Sequence, residues 1–225
     1  MDKNGLVILD KPAGISSFLA VKIIKRALEC KKAGHMGTLD PMATGLLVVG
    51  INKGTKLFDY YLKHDKEYYA VYKFGVETDT LDSEGEIINQ NDVKVTAEML
   101  QEIIPNFLGE QNQIPPNYSA KKINGKRACD LVREGKEITL APKKVTLYNL
   151  ELIKEVDENT FAFKMHCSSG FYVRSLGRDL ADKLSTYCTT LEIRRTKCCG
   201  YGLEHASSLE EIKQGKYKFI EIENE

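Results

Sequence analysis

The feature that most constrains this chain is the run Gly34-His35-Met36-Gly37-Thr38-Leu39-Asp40-Pro41-Met42-Ala43-Thr44-Gly45, joined directly to the apolar stretch Leu46-Leu47-Val48-Val49-Gly50-Ile51. The run is crowded with turn-forming residues, and the apolar stretch reads as a buried strand. The core therefore anchors one end of a surface loop that carries a single carboxylate, Asp40. Loops on a rigid scaffold carry much chemistry, so Asp40 is a candidate catalytic group. The plainer alternative is a turn or cap aspartate, common before proline.

The rest of the chain alternates between two periodicities. Residues 6–9 form a short apolar strand, broken by Asp10-Lys11-Pro12-Ala13-Gly14. Ser16 or Ser17 can cap a helix over about 18–30 that buries Ala20, Ile23, Ile24, Ala27 and Leu28. A short helix is expected over 53–62. Residues 68–74 alternate, with Tyr68, Ala70, Tyr72 and Phe74 on one face. Turn-rich acidic residues come next, among them Asp79 and Asp82. Thr96 caps a helix ending near Pro105, and residues 127–134 read as another. Strands are expected at 144–154 and 160–167, then a helix over about 172–184 burying Val173, Leu176, Leu180 and Leu184. A strand over 191–199 and a last helix capped by Ser207 or Ser208 complete the pattern. Intermixed strands and helices with a hairpin-like pair predict an α/β or α+β fold with a mixed sheet. No internal repeat or linker marks a boundary, so a single domain over 1–225 is expected, with a basic insertion at about 111–143.

Charge narrows the partners. The formal net charge is +0, which by itself argues mildly against nucleic acid. Its distribution argues the other way. Between positions 119 and 147 the chain has Lys121, Lys122, Lys126, Arg127, Arg133, Lys136, Lys143 and Lys144 against Asp130, Glu134 and Glu137. Arg194, Arg195 and Lys197 form a second basic cluster, while Glu221, Glu223 and Glu225 make an acidic tail. Such segregation is compatible with a polyanionic partner, although a single charge run is more often a solvated face.

Other classes fall away. The sequence has no apolar run of about 18 residues for a membrane span. Met1-Asp2-Lys3-Asn4-Gly5 lacks a signal core, so cytoplasmic residence is expected. The six cysteines, Cys30, Cys129, Cys167, Cys188, Cys198 and Cys199, show no metal spacing. The adjacent Cys198-Cys199 pair admits a redox or soft-metal reading, with reduced thiols the plainer one. There is no P-loop, dinucleotide fingerprint or serine nucleophile elbow. The chemistry left is that of a carboxylate, with neither metal nor cofactor.

The chain resembles the TruB family of pseudouridine synthases in an ordered set of motifs spanning roughly residues 5–215. Asp10-Lys11-Pro12-Ala13-Gly14-Ile15-Ser16-Ser17 and the Asp40 run resemble the first two. Lys66-Glu67-Tyr68-Tyr69 resembles the tyrosine motif, and residues 116–128 the insertion that clamps RNA. Cys167-Ser168-Ser169-Gly170-Phe171-Tyr172-Val173-Arg174-Ser175-Leu176 resembles the arginine motif, and Leu191-Glu192-Ile193-Arg194-Arg195-Thr196 the late core segment.

The resemblance implies the pseudouridine synthase fold, a largely antiparallel mixed sheet flanked by helices with an RNA-clamping insertion. It also implies isomerisation of uridine 55 in the T-loop of tRNA, with no cofactor. Asp40 matches the catalytic aspartate, Arg174 the arginine that pairs with it, and Tyr68 the tyrosine that stacks on the flipped base and assists C5 deprotonation. A cation beside a carboxylate favours its ionised form. His35 matches the histidine that supports the space vacated by the nucleotide, and Tyr172 and Ile193 line the uracil pocket. Lys11 is expected to orient the loop, touch RNA or be solvated, and Lys121 and Lys126 to contact phosphates. Tyr118 stacks or packs, and Cys129 stands where an aromatic is usual. Many bacterial members carry a C-terminal RNA-binding PUA domain, expected here to be absent or truncated. The expected partner is the T-arm of tRNA, bound by a monomer without a partner protein or membrane. The alternatives are a guide-RNA-dependent synthase, a non-catalytic tRNA-folding chaperone on the same fold, and a carboxylate-nucleophile phosphotransferase. The last lacks any phosphate-binding loop.

Overall fold

A computed structural model of the chain describes residues 3–119, 121–123 and 125–222. Ala120 and Asn124 of the basic segment, the side chains of Lys122 and Arg127, and the tail residues Glu223 and Glu225 lie outside the described residues. The chain divides into two compact units, Met1–Tyr69 with Ile193–Glu225, and Ala70–Glu192. It crosses between them inside two strands, Lys66–Phe74 and Cys188–Cys198.

In the first unit the strand Gly5–Lys11 pairs antiparallel along its whole length with Thr44–Ile51, from Gly5↔Ile51 to Lys11↔Gly45. Both strands are almost wholly buried, which accounts for their unbroken apolar sequence. Phe219–Glu221 covers the other edge of Gly5–Lys11. Two segments share the second edge of Thr44–Ile51. Ala33–His35 pairs antiparallel with its end, and the strand Cys188–Cys198 pairs parallel with its start, through Arg194↔Thr44 and Arg195↔Gly45. Gly45 is required at that crossing. Its φ is +97°, and a Cβ there would stand 2.3 Å from the Arg195 carbonyl oxygen.

The helix Ser17–Ala27 begins at Ser16, whose hydroxyl accepts from the Leu19 amide at 3.1 Å. It buries Ser17, Ala20, Val21 and Ile24. Ala27, expected inside, is exposed because the helix stops there and Glu29 takes a left-handed turn at φ 50°. The expected helix over 53–62 is a 3-10 turn, Asn52–Leu57, leading into a short helix, Phe58–Leu62. Ser208 caps the helix Leu209–Lys213 in a reciprocal pair with Glu211.

The second unit centres on the hairpin Lys143–Asp157 and Thr160–Cys167. Gly109–Gln113 adds to one side and Lys66–Phe74 to the other. Tyr72 packs on Phe163 and Phe74 on Phe161, with ring centroids 5.4 and 6.1 Å apart. The alternation from Tyr68 to Phe74 thus supplies core aromatics. The helix Val173–Lys183 buries Val173, Leu176 and Leu180, while Leu184 beyond its end is half-buried. Thr96 caps Ala97–Ile103. Within the basic segment, Lys122–Ile123 and Lys126–Arg127 form a small hairpin before the helix Ala128–Arg133.

The fold is therefore mixed α/β with largely antiparallel strand pairing. No helix among the described residues is long and apolar enough to cross a membrane. All six cysteines are free thiols, four of them buried.

Candidate active site

The Asp40 loop leaves the strand Ala33–His35 and returns into Thr44–Ile51, and its backbone is pinned at nearly every residue. The Met36 amide donates to Val48 O at 2.8 Å. The buried Ser17 hydroxyl donates to Leu39 O at 2.9 Å and accepts from the Leu39 amide at 2.8 Å. The Gly14 amide donates to Pro41 O at 2.9 Å, and the Ala43 amide closes a turn on Asp40 O at 3.1 Å. Asp40 itself is half-buried. The two serines of the first motif therefore divide their work: Ser16 starts the helix and Ser17 holds the loop.

Lys11 is fully buried. Its ammonium donates to Pro12 O and Ile15 O at 2.8 Å each and to Pro41 O at 3.2 Å. Of the three roles expected for it, these bonds fit loop orientation best. A buried ammonium engaged with three carbonyls is placed to fix the backbone around the loop.

The residues of the second basic cluster have partners within the protein. Arg194 binds Asp10 through two hydrogen bonds at 3.1 and 2.7 Å, and Lys197 pairs with Glu67 at 3.0 Å. Arg195 is buried, with its donors turned toward backbone carbonyls. The period-2 pattern of the strand sends Arg195 inward, but sequence alone does not say which face of that strand is the inner one.

His35 is half-buried, and its Nδ1 atom is buried without a hydrogen-bond partner among the described residues. Burial, aided by the charge of Arg195, pushes its pKa below the ordinary value of 6.5. The folded state thus binds fewer protons at His35 than the unfolded chain does. Its neutral form costs nothing above the unfolded value. A penalty appears as pH falls below about 6.5 and stops growing once pH passes below the depressed folded value. Stability measured by urea unfolding is expected to drop between about pH 7 and 5. In His35→Gln that slope should shrink by up to one proton, and an identical slope in the variant would exclude His35 as its source. Tyr68 and Ile193 are both buried in this unit, and the Ile193 carbonyl accepts from Thr44 Oγ1 at 3.5 Å.

In the second unit Arg174 lies in the first turn of Val173–Lys183 and is only 5% exposed. Its guanidinium pairs with Asp82 at 3.2 Å and donates to Thr80 O at 2.7 Å and Tyr118 O at 2.9 Å. Asp82 is legible in the sequence only as one of several turn acids. In the structure it is buried, accepts from Thr80 Oγ1 at 2.6 Å and from the Glu84 amide at 3.0 Å, and holds Arg174 in orientation. Its only sequence signal is the spacing of Thr80, Asp82 and Gly85 in a tight turn.

The same helix end tethers the start of the basic insertion. Gln113 donates to Tyr172 O at 3.1 Å and accepts from the Tyr172 amide at 2.8 Å. Ser175 Oγ and Arg178 donate to Ile114 O at 2.8 and 3.0 Å. A hydrogen bond to Asp79 raises the pKa of the Tyr118 phenol. Farther along, Lys121 donates to Ala141 O at 2.7 Å, and Lys126 pairs with Glu134 at 3.5 Å.

Comparison with known proteins places these residues in a wider group. The family model described as "TruB family pseudouridylate synthase (N terminal domain)" matches residues 25–173. The "tRNA pseudouridine synthase B" of Aquifex aeolicus (strain VF5) is 43% identical over 210 residues, covering 93% of this chain and 73% of that protein. The protein of the same name from Clostridium tetani (strain Massachusetts / E88) is 42% identical over 212 residues, covering 94% and 73%. Among solved structures, "Crystal Structure of a Cbf5-Nop10-Gar1 Complex" contains a chain that matches with a TM-score of 0.73 at 26% identity. The match covers 93% of this chain and 54% of that one, so the chain spans about half the length of that solved neighbour.

Proposed function

The chain belongs to the TruB family of pseudouridylate synthases, and from that premise we propose that it isomerises uridine 55 in the T-loop of tRNA to pseudouridine. The observation that carries this reading is the Asp40 loop, a half-buried carboxylate on a backbone held from several sides. A nucleophilic carboxylate needs a defined geometry and an ionised state, and the loop supplies the first.

In the proposed reaction Asp40 acts at the ribose C1′, either by attack or by promoting glycal formation. The freed uracil turns, C5 bonds to C1′, and the C5 proton leaves. Arg174 is the cation assigned to Asp40. Its permanent charge suits that role. Tyr68 stacks on the base, His35 supports the vacated space, and Tyr172 and Ile193 line the pocket. The uridine must leave its stack to be reached, and the flipped base costs a few kcal/mol that binding has to offset. The basic insertion supplies phosphate contacts, with Lys121 and Lys126 among them. The purified chain is proposed to act alone, as a monomer without guide RNA, partner protein or cofactor.

The test is tritium release from tRNA labelled at uridine C5. Steady release by the purified chain is the expected result. No release from any tRNA, with tRNA binding retained, would replace the enzyme by a tRNA-folding chaperone. The insertion is tested separately. Lys121→Gln with Lys126→Gln should weaken tRNA binding and lower the slope of log K against log salt by about 1.4–1.8 if each lysine neutralises one phosphate. An unchanged slope would remove both residues from the interface.

A further inference from the structure

We propose that Arg195 is a positioning residue for the isomerisation, a buried guanidinium that clamps the Asp40 loop to one strand. The inference rests on the reading of Asp40 given above, and it adds a residue to which the family motifs assign no role in the chemistry.

The geometry is specific. Arg195 Nε donates to Leu46 O at 2.7 Å, Nη1 to Thr38 O at 3.3 Å and Nη2 to Gly37 O at 3.1 Å. The Tyr68 phenol lies near enough to influence the Arg195 guanidinium electrostatically. The main chain of Arg195 is placed as firmly, paired with Gly45 at the exit of the loop. Thr38 lies two residues before Asp40, and Pro41, which Lys11 holds, lies directly after it. Two buried cations thus bracket the carboxylate by its neighbours' carbonyls and leave its side chain out of the clamp.

Two other roles fit less well. A phosphate contact needs exposure, and Arg195 is 1% exposed. A simple core residue needs no charge, and a buried cation is costly unless its donors are satisfied. Among the described residues Arg195 has no carboxylate partner. Its donors are satisfied by carbonyls of the catalytic loop and of the strand that follows it. The field of that charge also reaches His35, whose protonation it disfavours.

The test compares wild type with Arg195→Lys, which keeps a charge but cannot reach all three acceptors, and Arg195→Met, which fills the space without charge. Three quantities are read: the single-turnover rate at saturating enzyme, the tRNA dissociation constant with its salt slope, and hydrogen exchange of amides 36–43 without RNA. In Arg195→Lys the rate should fall about 100-fold, the cost of a displacement near 1 Å at the reacting groups. Affinity and salt slope should stay within about 3-fold and within experimental error respectively, while loop amides exchange about ten times faster. Arg195→Met should do the same or worse, and if it fails to fold, the lysine variant decides alone. An unchanged rate with unchanged exchange overturns the clamp. So does a loss of rate explained by weaker binding with a smaller salt slope, which would make Arg195 a phosphate contact. If the wild-type chain releases no tritium, the proposed function fails by itself. Loop exchange then still decides the clamp, since slow exchange retained in Arg195→Lys overturns it.

Discussion

Asp40→Asn is expected to lower tritium release from C5-labelled tRNA by at least about 10⁴-fold, the scale seen when a nucleophile is removed from an otherwise intact site. The substitution changes one atom and removes the charge and the nucleophile together. It should leave the fold unchanged, because the loop is held through its backbone. Ser17 holds Leu39, Lys11 and Gly14 hold Pro41, and Arg195 holds Gly37 and Thr38. None of these bonds involves the Asp40 carboxylate. Affinity for tRNA should therefore stay within a few-fold of wild type. Asp40→Glu keeps the charge but moves it by one methylene. Misplacement of about that size costs on the order of 100-fold, so this variant should fall between wild type and Asp40→Asn. Release by Asp40→Asn at more than a tenth of the wild-type rate would remove Asp40 from the chemistry.

Asp82→Ala is expected to destabilise the Ala70–Glu192 unit by about 3–5 kcal/mol, the usual cost of removing one partner of a buried ion pair. Arg174 and Asp82 are each about 5% exposed, so neither charge can turn to water when the other is lost. The carboxylate also organises its own turn, accepting from Thr80 and from the Glu84 amide. Against a total stability of about 5–15 kcal/mol, such a loss should be plain in a urea midpoint. Asp82→Asn keeps an acceptor for both groups and should lose less. The double variant Arg174→Met, Asp82→Leu removes both charges and should regain much of the stability lost by Asp82→Ala. It should regain no activity, because Arg174 is the cation assigned to Asp40. A loss under about 1 kcal/mol in Asp82→Ala would mean the pair is not what orders this turn.

The expected helices and strands are largely legible because they depend on local rules. Ser16, Thr96 and Ser208 each cap the helix expected, since a short hydroxyl side chain satisfies an early amide regardless of distant structure. The alternation at Tyr68, Ala70, Tyr72 and Phe74 survives as a buried face because a strand has only two faces. Ala27 departs from its expected burial because helical periodicity does not announce where a helix stops. The basic residues are harder. Lysine and arginine look alike in sequence whether they face water, pair with acids or hold carbonyls. Lys11 and Arg195 are buried clamps, and Arg194 is a partner of Asp10.

The sequence by itself determined the order of elements, the turn-rich loop before a buried strand, and the family to which that loop belongs. These are properties of neighbouring residues and of motif order, and they need no knowledge of which strands meet. Only the tertiary structure decided how the loop is held. The bonds of Arg195 to residues 37, 38 and 46, and of Arg174 to residues 80, 82 and 118, join positions far apart in the chain. Their existence depends on strand register and burial. A charge becomes a clamp only where folding has removed the water that would otherwise satisfy it.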